Sequence, residues 1–219
     1  MTRGTSSPRI FQIGFNRCGT TTLIRFFQAN GLKCLHWGRG TIAAGIEAAY
    51  MEGKPLLSYI DGYFAYGDME FVEVESESKK LFKKKPFRRL YKNLPEGKLT
   101  PIYAFERFSE LDKQYPGSRF ILNTRNVEDW INSRIRFLEK GYFYCKHGDR
   151  YHSSQEELNQ CWRNHWNQHI SDVKEYFSDR PGDLLEFDLD KDGPEKITEF
   201  FHNLNLDISM WGHHNKSKS

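Results

Sequence analysis

Apolar and polar positions along the chain switch repeatedly between the strand period and the helix period. The first apolar run, Ile10 to Ile13, leads into a glycine turn from Gly14 to Gly19. Apolar positions then recur at helical spacing, at Leu23, Phe26 and Phe27, until Gly31. This pattern predicts a strand over residues 9–15 and a helix from Thr20 to about Asn30. Leu32 to Trp37 reads as a second strand, Gly38-Arg39-Gly40 as a turn, and Thr41 as the cap of a helix reaching about Glu52. Gly53-Lys54-Pro55 breaks that helix, and Leu56 to Tyr66 fits either strand or helix.

Further on, Ala104 to Gln114 predicts a helix, Arg119 to Asn123 a strand, and a helix starts at about Val127. Gln155 to about Phe177 is a long helix, Leu184 to Phe187 a short strand, and Gly193-Pro194 opens a last helix through Leu204. Strands alternating with helices at crossover spacing imply an α/β fold, a three-layer sandwich around a mainly parallel sheet. The expected organisation is a flexible lead over 1–8, one domain over 9–212 and a polar tail over 213–219.

Composition adds constraints. The chain has 219 residues, enough for one proper core, and its 17 Phe, 11 Tyr and 5 Trp supply large buried surfaces. A net charge of +3 asks for no nucleic-acid partner. No apolar run reaches the ~20 residues of a membrane span, and the first eight residues carry no apolar signal region, so a cytoplasmic protein without stable membrane insertion is expected. Cys18, Cys34, Cys145 and Cys161 form no C-x-x-C pair and are expected as free thiols rather than metal ligands. An acidic run over 68–77 precedes a basic run over 79–89. The basic run is either a solvated face or a rim that steers an anion.

The chemistry concentrates in the first turn. A strand, a glycine loop and a helix N-terminus together aim backbone N–H groups and a helix dipole at one spot, which suits a phosphate or sulfate. Gly14-x-x-x-x-Gly19 matches the start of the nucleotide-binding pattern G-x-x-x-x-G-K-[ST], but Thr20 stands where the lysine belongs and Arg17 lies inside the loop instead. A second strand-loop-helix unit, Ser118 to Ser133, carries Arg125 at the strand end and Ser133 eight residues later.

These two units resemble the sulfotransferases that use 3′-phosphoadenosine 5′-phosphosulfate (PAPS). The resemblance implies the P-loop-like sulfotransferase fold and transfer of a sulfuryl group from PAPS to a hydroxyl or amine, releasing adenosine 3′,5′-bisphosphate. It implies that Arg17, Cys18, Gly19, Thr20, Thr21 and Thr22 hold the 5′-phosphosulfate, and that Arg125 and Ser133 bind the 3′-phosphate. Arg17 would also stabilise charge on the breaking S–O bond. The family usually carries a lysine here, and an arginine stays protonated and does not act as a general acid. No metal is implied. The partner is a small-molecule or carbohydrate acceptor.

The acceptor must lose a proton, and two residues are candidates for the base. His36 ends the second strand with a pKa suited to the task. Asp68, in Tyr66-Gly67-Asp68, would need its pKa raised by burial. Asp61 is a more distant third. The Tyr- and His-bearing loop Gly141 to Ser154 is a candidate cover for acceptor or cofactor, and Trp211 to Lys216 a candidate flap over the nucleotide. Two alternatives remain open: a P-loop kinase using Asp188 for Mg²⁺, and a non-catalytic nucleotide-binding relative.

Overall fold

The computed structural model of the protein describes residues 8–71, 101–138 and 154–212. In chain order its strands are β1 (Ile10–Gln12), β2 (Cys34–His36), β3 (Ala65–Gly67), β4 (Glu70–Phe71), β5 (Ile102–Tyr103), β6 (Arg119–Thr124) and β7 (Leu184–Asp188). The α-helices are α1 (Thr20–Ala29), α2 (Thr41–Met51), α3 (Phe108–Gln114), α4 (Val127–Leu138), α5 (Gln155–Tyr176) and α6 (Pro194–Phe200). Five strands form an all-parallel sheet in the order β2-β3-β1-β6-β7, and β4 pairs antiparallel with β5 beside it.

Side-chain alternation on the strands divides the core into two layers. On β1, Ile10 joins one apolar cluster with Leu23, Phe26 and Phe27 of α1 and Ile197 of α6. Its neighbour Phe11 joins the other, with Ile42 and Ile46 of α2, Trp130 of α4 and Trp162, Trp166 and Val173 of α5. On β6, Ile121 faces the first cluster while Phe120 and Leu122 face the second. Helices therefore cover both faces, as an α/β sandwich requires. Among the described residues no helix is long and apolar enough to cross a membrane.

β1 lies at the centre. The chain leaves it toward β3 and β2 on one side and later runs from β6 to β7 on the other. A crevice at the carboxyl ends of β1 and β6 follows from that reversal, and ligands of open α/β sheets bind at such a point. The glycine loop and Arg125 both follow these two strands.

Several boundaries differ from the sequence expectation. β1 stops at Gln12 because the chain from Gly14 on bonds to a side chain, that of Asn123, rather than to a strand. Thr41 is not a cap: it is already helical (φ −66°, ψ −28°), Gly40 is the cap residue, and the Thr41 hydroxyl donates back to Gly38 O at 2.8 Å. Residues 104–107 form a 3₁₀ turn before α3, since Ala104 N–H is still bonded to Met69 O at 3.0 Å. Residues 56–60 make turns, and of the ambiguous segment only Ala65 and Tyr66 are strand, at the start of β3. Trp211 packs edge-on against Phe26 (5.3 Å between ring centroids) and lies near Phe187 (6.2 Å), so its indole adds to the α1 core. The basic run 79–89, most of the 141–154 loop, Cys145 and the 213–219 tail lie outside the described residues.

Candidate functional site

The loop between β1 and α1 is held by its carbonyls. Fully buried Asn123 of β6 accepts from Gly14 N–H at 3.1 Å and donates through Nδ2 to Phe15 O and Cys18 O, each at 3.1 Å. Gly14 must be glycine here, because a Cβ would lie 2.1 Å from Asn123 O. The indole N–H of Trp130 donates to Asn16 O at 3.0 Å, and Arg125 donates to Arg17 O at 3.4 Å. Beneath the loop, Phe15 stacks on Trp166 and meets Phe105 and Trp130. His169 Nε2 donates to Ile13 O at 2.7 Å. Burial lowers the pKa of His169, which keeps its ring neutral.

With the carbonyls turned inward, amides are left facing the crevice. Gly19 (φ 77°) ends the loop, and no side chain caps α1 among the described residues. Nor does any described residue accept from the backbone N–H of Cys18, Gly19 or Thr20. Uncapped donors at a helix N-terminus attract an anion. A Cβ at Gly19 would sit 2.7 Å from Leu189 Cδ1, so the turn leaves no room for a side chain. Cys18 is fully buried, and burial raises its thiol pKa, so it fills space as a protonated thiol rather than a nucleophile.

A buried ion pair supports the same loop from below. Arg134 of α4 lies 3.0 Å from Glu70 of β4, with side chains only 4% and 1% exposed. Glu70 accepts from Asn16 N–H at 3.3 Å, Arg134 donates to Asn16 Oδ1 at 3.3 Å, and the guanidinium lies against Trp130 and Trp162 (4.9 and 4.8 Å). Burial opposes the charge on Arg134, but Glu70, helped by Tyr103 and Cys18, offsets it and the pKa rises. Asn16 is thus gripped on both sides just before Arg17, which adopts a left-handed backbone (φ 63°). Such a conformation costs about 1–3 kcal/mol and persists only where the surroundings impose it.

Arg17, Thr20, Thr21, His36, Asp68, Arg125 and Ser133 meet around this loop. Arg17 Nε donates to Ser133 Oγ at 3.2 Å. Arg125 is not bonded to Ser133; its other guanidinium contact is Asp190 at 3.4 Å, and Asp190 also accepts from Asn126 N–H at 3.1 Å. The Nε of Arg125 is buried and has no partner among the described residues. Thr20 and Thr22, both in α1, are buried, and the Thr20 and Thr21 hydroxyls lie 3.4 and 3.5 Å from His36 Nε2. Asp61 sits at the opposite end of the sheet, exposed and paired with Arg9 at 3.3 Å.

The two base candidates stand side by side, with His36 Nε2 3.6 Å from Asp68 Oδ2. They titrate in opposite directions. Burial, reinforced by Arg25, lowers the His36 pKa to about 4. Burial and the charge of Glu70 push Asp68 up to about 7, against the pull of Arg17 and Arg134. With His36 neutral, their contact is a long polar one and not an ion pair. Asp68 also holds a left-handed backbone (φ 57°).

Asn123, Glu70, Arg134 and Asn16 carry no signal in the motifs. Asn123 alone leaves a trace, as a polar residue in the apolar run of β6. Comparison with known protein families matches the sulfotransferase domain over residues 9–148, more than half of the chain. The protein therefore belongs to the sulfotransferase domain family. The matched span takes in the glycine loop, His36, Asp68, Arg125 and Ser133. A comparison with curated proteins returned no match.

Proposed function

We propose that the protein transfers a sulfuryl group from PAPS to the hydroxyl or amine of a small-molecule or carbohydrate acceptor. The observation that carries this reading is the loop held by its carbonyls: no described residue accepts from the N–H groups of Cys18, Gly19 and Thr20, and the Arg17 guanidinium lies beside them, bonded to Ser133. In this reading they bind the 5′-phosphosulfate, with hydroxyls of Thr20 and Thr21 beside them. Arg125, with its unpartnered buried Nε, and Ser133 take the 3′-phosphate. Thr22 contributes as part of the α1 N-terminus.

The acceptor oxygen bonds to sulfur while the bond from sulfur to the bridging oxygen breaks. The electron pair of that bond leaves on adenosine 3′,5′-bisphosphate, where Arg17 and the loop amides stabilise it. The acceptor proton passes to the Asp68 carboxylate. A carboxylate poised near neutrality is matched to that role, whereas a His36 ring with a pKa of about 4 is a weak base. His36 instead orients Asp68 and the threonine hydroxyls. The three free thiols Cys18, Cys34 and Cys161 fit a reducing, cytoplasmic setting.

Calorimetric titration with adenosine 3′,5′-bisphosphate, beside ADP and with or without Mg²⁺, tests the reading. Metal-independent binding of the bisphosphate is expected. Arg125→Ala should weaken it by about 10- to 100-fold, the worth of charge-assisted hydrogen bonds. Binding of ADP only, and only with Mg²⁺, would instead favour the kinase alternative. Bisphosphate binding without turnover of PAPS on any acceptor would favour a non-catalytic relative.

A further inference from the structure

The segment from Trp37 to Gly40 has four consecutive left-handed residues: Trp37 (φ 51°), Gly38 (57°), Arg39 (57°) and Gly40 (83°). Two are glycines, for which this is ordinary. A tryptophan there, with ψ −50°, is an outlier that needs a cause. The strap is firmly pinned. Trp37 N–H donates to Gly67 O at 2.9 Å, Gly40 N–H to Trp37 O at 3.0 Å, and Gly40 lies so close to the Phe71 ring that a Cβ would be 2.2 Å away. None of this is spent on burying the indole. Trp37 is 40% exposed and stacks on no ring among the described residues.

Position gives the reason. His36 pairs with Gly67 in the β2–β3 ladder, so Trp37 and Asp68 are the next residues at two neighbouring strand ends. Both leave the sheet in a left-handed turn. Trp37 therefore leaves β2 next to the point where Asp68, the proposed base, leaves β3. Two residues on, Arg39 is exposed and makes no ion pair or hydrogen bond with any described residue.

We propose that this strap is the acceptor subsite: Trp37 stacks on the ring that bears the reacting hydroxyl, and Arg39 binds a carboxylate or sulfate on the same molecule. The acceptor is then a ring-bearing, negatively charged alcohol. Its ring is either a sugar, which packs its C–H face on indole, or a phenol, which stacks on it. The inference rests on the sulfotransferase reading, since it needs the reacting group beside Asp68.

The test uses two probe pairs on the full chain, each with saturating adenosine 3′,5′-bisphosphate, followed by ligand-observed NMR titration. One pair is 4-nitrophenyl β-glucuronide and 4-nitrophenyl β-glucoside. The other is 4-hydroxyphenylacetate and 4-hydroxyphenylethanol. Within at least one pair the charged member should bind about tenfold tighter, and Arg39→Gln should erase that difference. Trp37→Ala should weaken the preferred pair about tenfold, and Trp37→Phe should restore most of the loss. The pair that binds better identifies the ring as sugar or phenol. The subsite is overturned if no probe binds, if charge makes no difference in the wild type, or if Trp37→Ala changes nothing. Bisphosphate affinity, measured on the same samples, should be unchanged in all three variants. Its absence in the wild type would sink the sulfotransferase reading itself.

Discussion

Asp68→Asn should lower kcat by about 10²–10⁴-fold, the usual worth of a positioned general base, while bisphosphate binding stays intact. Asparagine tolerates the left-handed backbone at this position, so the substitution tests charge and not geometry. In the wild type the rate should rise with pH through about 7, as Asp68 loses its proton. Four groups face this carboxyl: Glu70, Arg17, Arg134 and His36. Glu70→Gln removes a repelling charge and should move the midpoint down, and Arg17→Ala removes an attracting one and should move it up. His36 is neutral across this range and should not shift it by charge.

Stability carries the same signature with a definite sign. The Asp68 pKa is raised on folding from 3.8 to about 7, so the folded state holds this proton more tightly than the unfolded chain. Its contribution to stability is fully present below the unfolded pKa and is lost as pH rises through about 7. Urea unfolding midpoints of the wild type should therefore fall between about pH 4 and about pH 7, relative to Asp68→Asn. A parallel pH dependence in the two proteins would mean that Asp68 is not the group that titrates.

Arg134→Met should destabilise the protein by about 3–5 kcal/mol, because it leaves the Glu70 carboxylate buried without its partner. The double variant Glu70→Leu with Arg134→Met should recover most of that loss, since an apolar pair can replace a buried ion pair at little cost. The recovered fold should still bind adenosine 3′,5′-bisphosphate more weakly. Asn16 would have lost both Glu70 and Arg134, and Arg17 would no longer be forced into its left-handed conformation. Urea denaturation and calorimetry on the three proteins separate the two effects. If the double variant binds as tightly as the wild type, the pair serves stability alone.

The loop Gly14–Gly19, Arg125 and Ser133 were legible in the sequence because each belongs to a local strand-loop-helix unit. Spacing within such a unit is a backbone property, and composition there reports it directly. The alternation of strands and helices was legible for the same reason, and so was the layered α/β architecture. Element ends were less so. Thr41 looks like a cap, yet the preceding glycine can take a left-handed turn that threonine would resist, so Gly40 is the cap and the helix starts one residue earlier, at Thr41 itself.

The sequence by itself determined the class of fold and the position of the glycine loop proposed to bind an anion, since both follow from short-range periodicity and turn chemistry. The tertiary structure alone decided what holds the loop open and how the pKa values of the two candidate bases are shifted. Asn123 is 109 residues from Gly14, and Asn16 is 54 from Glu70 and 118 from Arg134. His36 and Asp68 look equivalent as bases in the chain, but each meets its own burial and its own neighbouring charges only after β2 and β3 pair. A pKa depends on solvent exclusion and on charges within a few ångströms, and neither exists along the chain before it folds.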